Sequence, residues 1–264
     1  MYQLAVFDVD GTLVSRGERV LLPSTVKTLK ALQQRGMKIA IASGRPPFAM
    51  EKSLLDQIHF DYFICSNGTY VMDDQGKECY REAMRRESVE SLALDFSKFD
   101  DALLLQFEDK GYIYHGKKRI LAMIDHCLGR TDIIHDDREH PSRHFTSLPY
   151  AGVCYIAKAN LPYYENRYPE YRFECFMENY YDIYAKQCTK ASGIQHLCKK
   201  IGISMKDVIC FGDALNDVAM LQQCGCGVAM GDALEEVKAS ADYITAASDQ
   251  DGIYLACHHF GWID

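Results

Sequence analysis

The chain begins with an apolar run, residues 4–7, that leads directly into the acidic sequence DVDGT starting at Asp8. A carboxylate such as that of Asp8 is ionised at neutral pH and can attack a phosphorus atom without a base to activate it. The carboxyl group of Asp10 is spaced to protonate the leaving alkoxide and then to take a proton from the attacking water. This spacing predicts phosphoryl transfer in two steps through an aspartyl-phosphate on Asp8.

Other polar side chains are placed to bind the phosphate. Gly11 lets the chain turn sharply out of the strand, and Thr12 places a hydroxyl and a backbone N–H near the phosphate. Ser43, after a second apolar run, can hydrogen-bond a phosphate oxygen, and Lys190, at the start of a predicted helix, can supply a fixed positive charge. Considered alone, Ser43 fits a turn cap and Lys190 a solvated surface position, but their places in the chain favour the phosphate site.

A second acidic cluster follows the apolar run 208–211 and contains Asp213, Asn216 and Asp217. Ligands of open α/β sheets bind beyond the carboxyl ends of the strands, so we expect this cluster to meet Asp8 there. Converging carboxylates repel one another unless a cation lies between them, and their oxygens favour a hard ion such as Mg²⁺. We expect Asp213 to be a direct ligand, with Asn216 and Asp217 holding the phosphate or metal-bound water.

The order of apolar runs predicts the elements that position these residues. Strands over 4–7, 38–42 and 62–65 alternate with helical patterns, the first of which Pro23 opens and Gly36 ends. Short, continuously apolar strands that alternate with helices are typical of a parallel sheet buried on both faces. The fold class is therefore α/β, with a doubly wound, Rossmann-like parallel-sheet core.

From about Arg81 the pattern changes, and predicted strands come in hairpins. This middle segment is interpreted as an α+β unit inserted into the core, because the alternation of strands and helices returns with a helix over 190–201. We predict a core of residues 1–82 and 184–264 around an inserted domain of residues 83–183. Within the insert, His135, His140 and His144 are interpreted as a polar surface loop, since Pro141 breaks the helical spacing that a metal site would use.

Composition excludes several classes of protein. The 264 residues carry a net charge of −8, which disfavours binding to nucleic acid or to anionic lipid along the chain. No apolar run approaches the roughly 20 residues of a membrane helix, and the first ten residues include acids where a signal peptide is apolar. The eleven cysteines form no CxxC pair, which indicates reduced thiols. We therefore expect a cytoplasmic protein without nucleic-acid or membrane partners.

Together these motifs resemble the four motifs of the haloacid dehalogenase (HAD) superfamily of phosphohydrolases. In chain order they are DVDGT at Asp8, SGR at Ser43, Lys190, and GDALND at Gly212. Supporting features of the Cof-type branch are SNG at Ser66, KASGI at Lys190, GVAMGDA at Gly227 and DG at Asp251. By its length and pattern, the insert looks like the type IIB cap domain of that branch.

The resemblance implies a Mg²⁺-dependent phosphatase in which Asp8 is phosphorylated and Asp10 acts as acid and base. It implies that Asp8, the backbone carbonyl of Asp10 and Asp213 hold the Mg²⁺, and that the cap closes over the site. The expected site residues are, for catalysis, Asp8 and Asp10; for the phosphate, Thr12, Ser43, Gly44, Lys190 and Asn216; for the rest of the substrate, Arg45 and Asn67; and for the metal, Asp8, Asp10, Asp213 and Asp217.

The expected substrate is a small phosphorylated metabolite. Sugar phosphates come first, followed by phosphorylated cofactors such as pyridoxal phosphate or flavin mononucleotide. A phosphomutase of the same superfamily is the enzymatic alternative, and a phospho-acceptor switch in which Asp8 stays phosphorylated is the non-enzymatic one. We expect a monomer or a weak homodimer.

Overall fold

The computed structural model describes residues 2–15 and 20–264. It forms two compact units: the first comprises Met1–Arg45, Met50–Tyr80 and Cys188–Asp264, and the second comprises Pro46–Ala49 and Arg81–Gln187. The division into a catalytic core and a cap at 82/83 and 183/184 stays a prediction. Among the described residues, no helix has the length and apolar content needed to cross a membrane.

The strands are short, and most are buried. In chain order they are β1 (Leu4–Phe7), β2 (Lys38–Ala42), β3 (Tyr62–Cys65), β4 (Tyr70–Asp73), β5 (Glu78–Arg81), β6 (Ala102–Gln106), β7 (Gly111–His115), β8 (Ile134–Glu139), β9 (Ala151–Tyr155), β10 (Tyr171–Met177), β11 (Tyr180–Ala185), β12 (Val208–Gly212), β13 (Cys226–Ala229) and β14 (Tyr243–Ile244).

Helices connect most of these strands. They are α1 (Pro23–Gln34), α2 (Lys52–Leu55), α3 (Arg86–Phe99), α4 (Lys117–Leu128), α5 (Leu161–Arg167), α6 (Lys190–Ile201), α7 (Val218–Gln223), α8 (Glu235–Lys238) and α9 (Gly252–His259). Single 3₁₀ turns occur at Pro47–Ala49, Ser66–Gly68, Arg143–Phe145, Met205–Asp207 and Leu215–Asp217.

The first unit is built on a sheet with the strand order β14-β13-β12-β1-β2-β3-β4-β5. The pairs from β14 to β3 are parallel, and β4 pairs antiparallel with β3. From β1 the chain proceeds outward through β2 and β3, whereas β12, β13 and β14 proceed outward on the other side. The direction of winding therefore reverses between β1 and β12, which is where an open α/β sheet binds its ligand.

Both faces of this sheet are covered, as the apolar strands predict. On one face Leu4 and Val6 pack with Ala191, Ile194 and Leu197 of α6. Alternate strand residues point to the other face, where the rings of Phe7 and Phe211 stack at 4.9 Å and Trp262, after α9, lies edge-on to Phe211. The mixed α/β fold with a mostly parallel sheet is thus confirmed.

Helix α6 begins at Lys190 because its preceding residue caps it. The Thr189 hydroxyl accepts a hydrogen bond from the Ser192 backbone N–H at 3.1 Å. The Ser192 hydroxyl in turn accepts one from the Thr189 backbone N–H at 2.9 Å. This reciprocal pair satisfies two backbone donors that the first turn leaves unpaired. At the other end, Gly202 adopts a φ of 78° and ends the helix. The position of Lys190 is therefore set by local sequence.

The second unit is an α+β layer built on the strand order β10-β11-β9-β6-β7-β8. Successive residues of β6 face opposite sides: Leu103 and Leu105 pack in a cluster with residues of α3, and Leu104 packs with α4. The aromatic segment 163–184 contributes much of the first cluster. Its members there are Tyr164, Tyr168, Tyr171, Phe173 and Tyr181.

Two sequence-based expectations for the second unit were incomplete or wrong. The expected hairpins are preceded by a 14-residue helix, α3, which the sequence analysis did not include. The histidines do not share a polar surface loop: β8 runs from Ile134 to Glu139, and His144 is 2% exposed. The Tyr114 hydroxyl and His144 Nδ1 lie 3.0 Å apart within the unit, so His144 is an interior residue.

Candidate active site

Three buried side chains meet at the carboxyl ends of β1 and β12. Lys190 Nζ donates to Asp8 Oδ1 and to Asp217 Oδ1, each at 2.6 Å. The Lys190 side chain is 1% exposed, so this ammonium is removed from water and held between two carboxylates. Such a group is a fixed positive charge beside Asp8.

Asp213 lies in the same cluster and is tied to the β1 loop. The Thr12 hydroxyl donates to Asp213 Oδ1 at 2.9 Å. Asp217 Oδ2 in turn accepts from the backbone N–H groups of Asp213 and Ala214, at 3.0 and 2.9 Å. The Thr12 bond joins the β1 and β12 loops across 201 residues of chain, and the Asp217 bonds order the loop after β12, so both acidic motifs are needed to build one site.

Burial and the neighbouring charges shift the pKa values of Asp8 and Lys190. It is the largest cause that raises the pKa of Asp8 to about 8, in spite of the lowering effect of the Lys190 ammonium, and the Asp217 carboxylate adds to the rise. Burial alone would lower the pKa of Lys190, but Asp217 and Asp8 raise it above the ordinary value for lysine. A cation among these carboxylates would favour the ionised form of Asp8 that the sequence analysis expects.

The donor set fits a hard divalent cation. Asp8, Asp213 and Asp217 each offer a carboxylate oxygen, and these oxygens lie within 4.8 Å of one another. All three residues are buried, and Lys190 is the positive charge bonded to the group. Buried oxygen ligands with an excess of negative charge are the environment in which Mg²⁺ binds. The Asp10 side chain is not a member of this group.

The carboxylate of Asp10 instead forms an ion pair with the guanidinium of Arg45. Arg45 Nη2 and Nε donate to the two carboxylate oxygens of Asp10 at 2.6 and 3.0 Å, in the bidentate geometry typical of arginine. Arg45 Nη1 also donates to Glu51 at 3.4 Å, a residue that the sequence analysis missed and that no motif would have indicated. The Arg45 backbone N–H donates to the Ser43 hydroxyl at 3.1 Å, which orders the loop after β2.

Two asparagines complete the set of expected residues. Asn216 Nδ2 donates to Asn67 Oδ1 at 3.0 Å. Asn67 is 2% exposed, and a Cβ placed on Gly44 would lie 3.5 Å from Asn67 Oδ1, so the loops after β2 and β3 are close neighbours. The structure thus gathers the expected residues along one edge of the sheet, but it pairs Arg45 with Asp10 and Asn67 with Asn216.

Gly11 has no room for a side chain. Its φ is +97°, and a Cβ placed there would lie 2.3 Å from Asp213 Oδ2. We expect Gly11→Ala to lower stability by about 1–2 kcal/mol through backbone strain and to lower kcat/KM about 100-fold by displacing the Asp213 carboxylate. Steady-state kinetics and thermal unfolding measure the two effects.

Gly36 is a matched control for this substitution. It has a φ of +84°, and a Cβ there would meet nothing within 4 Å. Gly36→Ala should therefore lower Tm through backbone strain, while kcat/KM stays at the wild-type value. Equal kcat/KM values for the two variants would refute the role given to the space beside Asp213.

Comparisons with known proteins find similar sequences and similar structures over nearly the whole chain. The sequence profile of the haloacid dehalogenase-like hydrolases matches residues 5–256. An HMP-PP phosphatase of Klebsiella pneumoniae is 28% identical, with 100% of this chain and 97% of the relative covered. The crystal structure of a hypothetical protein from Geobacillus kaustophilus superposes with a TM-score of 0.89 at 32% identity, covering 100% of both chains. The HAD subclass IIB sugar phosphatase BT4131 gives a TM-score of 0.83 at 28% identity, covering 99% of this chain and 100% of the other.

Proposed function

Because the chain belongs to the haloacid dehalogenase-like hydrolases and is a phosphatase of that family, we propose that it hydrolyses small phosphate monoesters through an aspartyl-phosphate on Asp8. The observation that carries this proposal is the buried triad of Asp8, Lys190 and Asp217, with Asp213 beside it. A carboxylate held against a fixed ammonium at the switch point of the sheet is placed to attack a phosphate drawn there by that charge.

Each residue of the cluster has a separate task. Asp8 forms the bond to phosphorus, while Lys190 and the Thr12 hydroxyl stabilise charge on the phosphoryl oxygens. Asp8 and Asp213 would hold Mg²⁺, which when bound supplies positive charge that keeps Asp8 ionised and neutralises the phosphate. Both oxygens of Asp217 already accept hydrogen bonds, so we assign it the orientation of Lys190 and of the Asp213 backbone.

Asp10 is assigned proton transfer in both steps. It donates a proton to the leaving oxygen as the ester bond breaks and takes one from the water that hydrolyses the aspartyl-phosphate. Its side chain is 51% exposed and is fixed by Arg45 at both oxygens, so it must give up one of these bonds to reach the substrate. Arg45 therefore sets the orientation from which Asp10 acts, in addition to its expected place near the substrate.

The proposed substrates are sugar phosphates first. One neighbour in structure is named a sugar phosphatase, and relatives in sequence are named HMP-PP phosphatases, so HMP-PP joins pyridoxal phosphate and flavin mononucleotide as further candidates. An assay of about one hundred phosphorylated metabolites with Mg²⁺, compared by kcat/KM, tests this order. The proposal predicts phosphate release that EDTA abolishes and Mg²⁺ restores.

The same assay separates hydrolysis from the mutase alternative. A phosphatase releases one inorganic phosphate for each monoester consumed, whereas a phosphomutase returns the phosphoryl group to another hydroxyl. Isomer formation from a hexose phosphate without phosphate release would overturn the proposed function. The highest kcat/KM on a phosphorylated cofactor would retain the phosphatase and reject sugar phosphates as its first substrates.

A further inference from the structure

Three successive residues at the carboxyl end of β3 have a left-handed backbone that the mechanism above does not use. Their φ values are 47° at Ser66, 55° at Asn67 and 92° at Gly68. Left-handed conformations at residues other than glycine cost about 1–3 kcal/mol each and persist only where the surrounding structure determines them. The contacts of this 66–68 turn show what determines it.

The backbone of the turn joins two of the catalytic loops. The N–H groups of its first two residues donate to the backbone oxygens of Arg45 and Ser43, each at 3.1 Å. A Cβ on Gly68 would lie 2.1 Å from the Thr189 oxygen, so the turn rests directly on the first turn of α6. The 66–68 turn thus lies between the loop that carries Ser43 and the helix that carries Lys190, and it contacts both.

The side chain of Asn67 connects the turn to a third loop, the one that follows β12 and carries Asn216. Its Oδ1 accepts from Asn216 Nδ2 at 3.0 Å, across 149 residues of sequence. Asn216 Oδ1 is buried and has no hydrogen-bond partner among the described residues. A buried acceptor without a donor costs about 1–3 kcal/mol, so the Asn67 contact keeps the Asn216 amide in an orientation that is unfavourable in the free protein.

That orientation suits the phosphate. An amide nitrogen carries two N–H groups, and with one of them on Asn67 the Asn216 amide has a second to donate to a phosphoryl oxygen. An Asn216 amide turned the other way would present its oxygen to Asn67 Oδ1, and two acceptors would face each other.

We propose that Asn67 is a positioning residue for phosphoryl transfer, which acts through Asn216 and does not itself contact the substrate. The inference rests on the proposed phosphatase function and replaces the expectation that Asn67 binds the leaving group. The two roles differ in kinetics. A positioning residue lowers kcat for every substrate alike, whereas a leaving-group contact changes KM for the substrates that use it.

A double-mutant cycle tests the proposal. Asn67→Gly removes the amide and keeps the left-handed backbone without strain, Asn216→Ala removes its partner, and the third variant carries both substitutions. With Mg²⁺ present, we expect Asn67→Gly to lower kcat about 10- to 100-fold for both a sugar phosphate and p-nitrophenyl phosphate, with KM changed less than about twofold. In the Asn216→Ala background, Asn67→Gly should cause no further loss.

Asn67→Asp provides a second measurement if the glycine variant folds poorly. It keeps an acceptor oxygen for Asn216 and tolerates a positive φ, so it should retain more kcat than Asn67→Ala. Multiplied losses in the double variant, or a rise in KM for the sugar phosphate alone, would overturn the role of Asn67. Wild-type protein that releases no phosphate from any substrate would overturn the proposed function instead, so the two failures are distinguishable.

Discussion

Asp8→Asn is expected to yield a folded protein whose kcat is lower by about 10⁴-fold or more. The introduced amide has nearly the shape of the carboxylate and can still accept the hydrogen bond from Lys190, but it cannot form an acyl phosphate. Rapid-quench experiments with a ³²P-labelled substrate should find labelled protein for the wild type and none for the variant. Wild-type turnover by Asp8→Asn would refute the mechanism.

The same substitution should stabilise the metal-free protein at alkaline pH. Burial raises the pKa of Asp8 to about 8, so the native state retains a proton on Asp8 that the unfolded chain loses near pH 4. The stability that this proton contributes is full below about pH 4 and is lost as the pH rises through about 8. In EDTA at about pH 9, we expect Asp8→Asn to unfold with a Tm higher by about 2–8 °C, and the difference to shrink at about pH 5.

Asp56→Asn is the control for both measurements. Asp56 is exposed at the end of α2, and its substitution should leave kcat and Tm unchanged. Added Mg²⁺ should raise the Tm of wild-type protein more than that of Asp8→Asn, because the cation binds more tightly to three carboxylates than to two. A lower Tm for Asp8→Asn in EDTA at alkaline pH would contradict the electrostatic description of the cluster.

Lys190→Met should cost about 3–5 kcal/mol of stability, or roughly 10 °C in Tm, and remove activity. Methionine fills similar volume, but it leaves Asp8 and Asp217 buried without the ammonium that each contacts at 2.6 Å. Breaking a buried ion pair by removing one partner is strongly destabilising, because the remaining charge has neither water nor counter-ion. Urea unfolding measures the loss of stability.

Two further variants identify the cause of that loss. Adding Asp217→Asn to Lys190→Met removes the uncompensated charge of Asp217 and should recover part of the stability without recovering activity. Lys199→Met, at an exposed position of the same helix, should change stability by no more than about 0.5 kcal/mol. If Lys199→Met proved as destabilising as Lys190→Met, the ion pairs would not be the reason.

Much of the first unit could be predicted from sequence. The apolar runs at β1, β2, β3 and β12 are short, continuous and bounded by polar residues, so hydrophobicity alone locates them. A parallel sheet then brings their carboxyl ends to one edge, and the acidic motifs follow. Helix α6 also matches its predicted limits, since Lys190 follows a capping threonine and Gly202 ends it.

The side-chain pairings could not be predicted in the same way. A guanidinium binds a carboxylate as well as a phosphate, so no sequence pattern indicates that Arg45 pairs with Asp10. In the second unit, β8 has the polar sequence IHDDRE, and only its parallel pairing with β7 makes it a strand. Such elements depend on tertiary context that local periodicity does not contain.

The position of β1 has a consequence for synthesis of the protein on the ribosome. Strand β1 is the middle of the core sheet, yet one of its two neighbours, β12, is made only after the entire second unit. At about 5–20 residues per second, the open edge of β1 waits roughly 10–40 s for that neighbour. During this interval the nascent chain exposes an apolar strand edge, which favours pairing with other chains and makes it a substrate for chaperones. Chains released before β12 should therefore aggregate, while the six strands of the second sheet all lie within residues 102–185 and are complete before β12 is made.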